Sequence, residues 1–326
     1  MTRVHRHILL IDDAGVTLAT YGKALVFRAR GIELTAVPKT ARVIIMDGFG
    51  GSITTAAVNE AASRHIEVLV AARDQGTMAL FAPSPQVTTS RAALKVREQQ
   101  FRAAFNRTKT VEIARAIVSE KIKAEAHERL IEREFLSAVR RAQTTDDVRF
   151  AEAKAAQVWW RQWVGFKLSF KGAGVPAEWR VFLSRYVGRP QGKLGELAAQ
   201  FTARGAVHPM QAMLNYAIGV LAGRMTRVVV AKGLDAGFGF LHDGRKPGRL
   251  SLVWDAVEAH RPGLVRAVFR HAEGRAFKRY DFGIFANDGV GLLSPLAREI
   301  AELTVRTVTL RDMVKTVDWI AGLIKS

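Results

Sequence analysis

Polar and apolar positions change rhythm near residue 85. Before it, short runs of mixed alternation follow one another: His7–Ile11, Val16–Thr20, Ala24–Arg28, Ile32–Val37 and Arg42–Met46. Turn signals such as Asp12-Asp13-Ala14-Gly15 and Tyr21-Gly22-Lys23 separate them, so each reads as a strand. Gly48 to Gly51 is a loop. No lysine follows at phosphate-loop spacing, so a plain turn is expected there. Ser52 or Thr54 can cap a helix running to Arg64. Glu67–Val70 and Thr77–Phe81 add two strands.

After the Ala82-Pro83-Ser84-Pro85 stretch, a linker to Ser90, the spacing becomes helical. Arg91 to Phe105 is one such segment. Thr108 or Thr110 opens a longer one, reaching Arg141 and carrying Ile113, Ile117, Ile122, Leu130, Ile131, Phe135 and Val139. Thr144-Thr145-Asp146-Asp147 starts a third, with Glu152, Ala155, Ala156, Trp159 and Trp163 on or near one face. Lys167 to Gly205 is loop-rich and basic. Pro209, at a first helical position, begins a helix that stops at Gly233 and buries a Met-containing stripe. A short helix over Leu264–Glu273, a broken section from Asp281 to Gly291, and helices over Pro295–Arg306 and Thr309–Lys325 complete the pattern. The fold class expected is α+β: a small mostly-β domain over 1–85, then a larger all-α domain over 86–326.

Charge changes the picture. The chain of 326 residues carries a formal net charge of +19, with basic residues in both halves. A surplus so large and so distributed points to a polyanion, and favours nucleic acid over a polybasic membrane anchor. There is no cysteine, which excludes disulfides, thiolate metal sites and a cysteine nucleophile. No stretch approaches a transmembrane span, and the apolar run near the N-terminus is too short for a signal-peptide core. A cytoplasmic protein with no membrane partner is expected.

The candidate chemistry lies between Gly233 and Pro262. An apolar run, Phe238 to Leu241, leads to His242; a Gly/Pro/Arg-rich turn follows; a second run, Leu250 to Trp254, leads to Asp255. Chain reversal through the turn can set His242 beside Asp255. Asp255 and Glu258 share a face if the segment is helical. One imidazole and two carboxylates suit a hard divalent cation, Mg2+ or Mn2+. A packed core histidine and a solvated acidic face are the plainer accounts of the same residues. Against them, a carboxylate closing an apolar run is costly to bury without a cation or donor. Glu152 stands out on its face of small and aromatic residues, with pairing to a neighbouring arginine as the alternative. Trp159, Trp160 and Trp163 can stack on bases, although core packing suits at least two of them. His208 can be a ligand or simply open its helix. Arg107, Lys109, Lys121 and Lys123 are candidate phosphate contacts, as are Lys171, Arg180 and Arg185 in the basic segment and Arg245, Lys246 and Arg249 in the turn.

Three motifs resemble the CRISPR-associated integrase family, the metal-dependent nuclease of CRISPR adaptation. They are AEAKAAQVWW around Glu152, HPMQAMLNYAIGVL with its Leu214-Asn215-Tyr216, and the long GFLHDGRKPGRLSLVWDAVEAHRP. The resemblance implies a β domain, a linker and a helical domain. It implies that Glu152, His242 and Asp255 bind the metal, with Glu258 completing the acidic cluster. It also implies double-stranded DNA as substrate, attack of a 3′-hydroxyl on a phosphodiester at a repeat boundary, a homodimer joined through the β domain, and a small ferredoxin-like partner. Two departures stand out. His208-Pro209-Met210-Gln211 replaces the family's frequent Asp-Pro-x-Asn, and Ala124-Glu125 replaces a frequent Asn-Gln. A transposon-type integrase, a branched-DNA repair nuclease and a non-catalytic DNA-binding scaffold are the alternative readings.

Overall fold

Alternation in the first part of the chain builds two small sheets. The strands are β1 (Ile8–Ile11), β2 (Thr17–Tyr21), β3 (Ala24–Ala29), β4 (Ile32–Ala36), β5 (Val43–Met46), β6 (Ser52–Ile53), β7 (Glu67–Ala72) and β8 (Thr77–Phe81). One sheet has the order β1-β5-β7-β8, parallel except for the last pair; the other has the order β4-β3-β2-β6. The computed structural model describes residues 8–11, 13–22, 24–29, 32–41, 43–46, 51–64, 66–72, 77–81, 91–183, 206–242, 250–285 and 289–326. The expected loop at 48–50 and the linker at 82–90 lie outside the described residues.

The parallel sheet is covered on both faces, as parallel strands generally are. Leu9, Ile11, Ile44, Met46 and Val68 face the second sheet and α1 (Thr55–Ser63), whose Thr54 cap accepts from Ala57 N at 3.2 Å. The intervening residues, Ile8, Leu10, Val43, Ile45 and Leu69, turn the other way into a larger core made by the helices. A period of two thus joins the sheet to both layers at once.

The helices are α2 (Arg91–Phe105), α3 (Arg107–Glu125), α4 (Arg129–Arg141), α5 (Thr145–Arg161), α6 (Pro209–Ala231), α7 (Ser251–Glu258), α8 (Arg261–Ala272), α9 (Leu296–Thr307) and α10 (Leu310–Lys325). The single segment expected from Thr108 to Arg141 is broken in two. Ala126 adopts φ 55°, in the left-handed region, and its N–H reaches back to Lys123 O. No glycine or proline marks this break; the chain tolerates a strained alanine where the helix must turn.

Helix α6 is the central strut, packing on α7, α8, α9, α10 and the parallel sheet. A Cβ on its Gly223 would lie 2.7 Å from Leu69 Cδ2, so any larger residue there must push the Leu69 side chain aside for α6 to stay this close to β7. A buried ion cluster fixes the same contact. Glu67 on β7 meets Arg227 at 2.9 Å and Arg224 at 3.5 Å, and Arg224 also donates to Val308 O at 2.8 Å.

The α+β class is as expected, but the second part is not purely α. Among the described residues it carries three two-stranded ladders: β9 (Phe166–Lys167) with β11 (Val181–Phe182), β10 (Ser169–Lys171) with β12 (Ala276–Lys278), and β13 (Phe282–Phe285) with β14 (Gly289–Leu292). Strands of two to four residues are too short to leave a readable alternation. Phe170, Trp179, Phe277 and Phe282 pack together beneath them. Trp163 stacks on Phe269 at 4.0 Å and 9°, and Trp159 is buried, so both are core residues.

Candidate functional site

The loop after α6 is held from two sides. From α2, buried Gln100 donates to Asp235 O at 2.8 Å and Phe238 O at 2.7 Å, and accepts from Asp235 N at 2.8 Å. From α7, the Asp255 carboxylate accepts from Phe240 N at 2.5 Å, Leu241 N at 3.1 Å and His242 N at 3.0 Å. It also lies 2.7 Å from His242 Nδ1. Asp255 is 1% exposed. A Cβ on Gly239 would come within 2.7 Å of Ser251 C and 2.8 Å of Asp255 Oδ2. Glycine at 239 is therefore what lets the loop wrap the carboxylate.

These contacts give His242 a defined orientation. With Nδ1–H donated to Asp255, Nε2 keeps its lone pair and points toward Glu258, whose Oε1 is 3.8 Å away. Asp255 and Glu258, three residues apart, sit in one helix but do different things. Asp255 is spent on the loop; Glu258, one turn on, faces a cavity of about 510 Å³.

That cavity is lined among others by Lys121, Glu125, Glu152, His242, Glu258 and Arg261. Helix α5 supplies Glu152 and, one turn earlier, Arg149, which donates to Leu241 O at 2.6 Å and so ties α5 to the histidine loop. Helix α3 supplies Lys121, whose ammonium lies against Glu152 Oε1 and 2.7 Å from Glu258 Oε2. Arg261 reaches Glu258 Oε1 at 2.9 Å. Burial opposes ionisation of Glu258, yet Arg261 and then Lys121 outweigh it and hold its pKa at about 2. Burial likewise opposes the charge on Lys121, but Glu258 and then Glu152 outweigh it and raise its pKa.

Three of the four candidate ligands, Glu152, His242 and Glu258, thus converge on one cavity. Asp255 stands behind His242 rather than among the cavity-lining residues. Lys121, a candidate phosphate contact, is instead buried between carboxylates; of the others, Lys109 pairs with Glu112 and Lys123 with Glu120. Glu125 stood out in the sequence only as a departure from the family's frequent Asn-Gln, and Arg261 was not a candidate at all. Lys121 and Glu125 fall on the buried stripe of α3 with Ala114, Ile117 and Val118, and charges on a core stripe were the available signal. His208 caps α6 through Nδ1, 3.0 Å from Met210 N, and burial pushes its pKa down to about 4. Lys171 and Arg180 are exposed, Arg180 above the Phe170 ring. Arg185, Arg245, Lys246 and Arg249 lie outside the described residues.

Among the described residues, no three histidine or acidic side chains are preassembled as a cation cage. The donor set still fits a hard divalent ion: two carboxylates, one oriented imidazole lone pair, and a position between the carboxylates already taken by an ammonium.

A β layer packed on a helical body, with an acid–imidazole cavity where α3, α5 and α7 meet, defines the class. The chain matches the family model for CRISPR associated protein Cas1 over residues 9–172 and 196–303. It therefore belongs to the Cas1 family. It is 24% identical over 293 residues to the CRISPR-associated endonuclease Cas1 of Korarchaeum cryptofilum, covering 82% of this chain and 78% of that one. Its fold is similar to a Cas1 protein from Thermotoga maritima, with a TM-score of 0.76 at 15% identity and coverage of 99% and 97%. It is similar also to a casposase bound to integration product, with a TM-score of 0.74 at 19% identity and coverage of 98% and 91%.

Proposed function

We propose that this protein is a divalent-metal-dependent DNA integrase and endonuclease that inserts short DNA fragments into a CRISPR array. The observation that supports it most directly is the convergence of Glu152, His242 and Glu258 on one cavity in a Cas1-family chain. These three side chains are the ligands we assign to Mg2+ or Mn2+, with Asp255 orienting the imidazole rather than ligating. When bound, the ion lowers the pKa of an attacking hydroxyl and offsets charge on the phosphorane and leaving oxygen.

The chain's own groups do the rest. Asp255 keeps the proton on His242 Nδ1, which leaves Nε2 as a donor atom. Arg261 holds Glu258 ionised and in place. The net charge of +19 draws the DNA backbone to the protein without reading sequence. Lys171 and Lys278, paired across β10 and β12, present exposed ammonium groups for such contacts. With a DNA 3′-hydroxyl as nucleophile the outcome is strand transfer; with water it is cleavage. No residue of the chain needs to become covalently attached.

The likeness to a casposase favours transposon-type integration as the second reading, since the same fold serves there. A homodimer and a small ferredoxin-like partner belong to the proposal as well. Its test is transfer of a short duplex with free 3′-hydroxyls into a repeat-bearing plasmid, with and without Mg2+ or Mn2+. Ion-dependent joining at repeat boundaries, lost in Glu258→Gln and His242→Ala, is expected. Joining that ignores the repeat supports the transposon reading, and full activity of either variant removes the site assignment.

A further inference from the structure

Two charged groups in the cavity, Glu125 and Lys121, have no part in the chemistry above. Glu125 ends α3 one turn beyond Lys121 and is 2% exposed. Its Oε2 lies 2.8 Å from His127 Nε2, but its Oε1 is buried with no hydrogen-bond partner among the described residues. A buried acceptor left unpaired costs about 1–3 kcal/mol, and more when charged. Burial raises the Glu125 pKa, while His127 and Lys121 pull it back.

The second observation is the place Lys121 occupies. Its ammonium stands between Glu152 and Glu258, the two carboxylates assigned to the divalent ion. Two cations cannot share that position. The charged groups acting on Lys121 are Glu258, Glu152, Arg261 and Glu125, so with Lys121 itself the cluster carries one net negative charge. One divalent ion turns that into one net positive charge. A second ion would bury three, which argues against a second metal here.

We propose that Lys121 is a built-in cation that holds the place between Glu152 and Glu258 in the metal-free protein, and that Glu125 Oε1 receives its ammonium when a divalent ion enters. The proposal rests on the assignment of Glu152, His242 and Glu258 as ligands. Lys121 and Glu125 are four apart on one helix, so the four-carbon lysine stem can swing between acceptors without backbone movement. Glu125 then has a purpose where a glutamine would offer only a neutral acceptor. Both are positioning residues.

The experiment measures Mn2+ affinity by calorimetry on the full chain without DNA, for wild type, Lys121→Met, Glu125→Gln and the double variant. A hydrogen bond to a charged group, at 1.5–3 kcal/mol, sets the expected scale at about tenfold or more. Lys121→Met is expected to bind Mn2+ about tenfold tighter, because the competitor is gone. Glu125→Gln is expected to bind about tenfold more weakly alone, yet to have no effect in the Lys121→Met background. A loss that persists in that background makes Glu125 a ligand in its own right and overturns the proposal. So does weaker binding by Lys121→Met. Absence of Mn2+ binding by wild type removes the ligand assignment itself, and the proposal with it. Should Lys121→Met fail to fold, lysine-ammonium NMR of the wild type with Mg2+ decides. One buried ammonium signal must move on titration, and the movement must differ in Glu125→Gln; an unmoved signal refutes the swing.

Discussion

Replacing Asp255 with asparagine separates a supporting carboxylate from a ligating one. Asp255 Oδ2 serves Phe240 N and Leu241 N; Oδ1 serves His242 N and Nδ1. An asparagine has one acceptor oxygen for these two sides. If the oxygen takes the Oδ2 side, the amide NH2 faces His242, collides with its N–H, and forces the ring to accept through Nδ1. The ring proton then moves to Nε2, and the lone pair facing Glu258 is lost. If the oxygen takes the other side, two buried N–H groups face an NH2. Either way at least one buried donor loses its acceptor, at about 1–3 kcal/mol each, and charge-assisted bonds are weakened as well. Asp255→Asn should therefore lose about 2–4 kcal/mol of stability in urea denaturation. Its Mn2+ affinity should fall about 10–100-fold, the usual effect of disturbing a partner behind a ligating histidine. Wild-type stability combined with complete loss of Mn2+ binding would refute this reasoning, because it would make Asp255 a direct ligand.

Gly239→Ala places a Cβ 2.7 Å from the Ser251 backbone, so the loop must shift; thermal denaturation should show a clear loss, with Mn2+ affinity falling alongside. Glu67→Gln removes the acid that Arg224 and Arg227 share, leaving a buried guanidinium uncompensated; about 3–5 kcal/mol of destabilisation is expected by chemical denaturation. His208 has its pKa depressed by burial to about 4, so the unfolded chain binds the proton more readily. Its contribution is complete above about pH 6.5 and is lost as pH falls toward 4, at about 3 kcal/mol over that window. His208→Asn keeps a capping acceptor and should flatten that stretch of the stability–pH curve relative to wild type; an unchanged slope contradicts the burial account.

Much of the α+β layout was legible because long amphipathic periods survive in tertiary context. The helix over Pro209–Ala231 and the pair of helices at the C-terminal end lie within a residue or two of their expected bounds. The break at Ala126 was not legible, since nothing at Ala126-His127-Glu128 signals a turn and alanine is not a residue that favours the left-handed conformation it adopts. The three short ladders were hidden for want of length.

Composition and local pattern alone determined a strongly basic chain, the absence of thiol chemistry, and a histidine and acids set in apolar frames. Those properties belong to residue type and near-neighbour spacing. Only the tertiary structure decided which acid faces the cavity. Asp255 and Glu258 are both acids three apart in one helix, but the loop that folds onto α7 consumes the former and leaves the latter lining the cavity. Likewise Lys121 and Glu125 gain their meaning from α5 and α7, which bring Glu152 and Glu258 to them from far along the chain. Side-chain roles in a buried charge cluster depend on which partners remain unsatisfied, and that is settled only when every neighbour is in place.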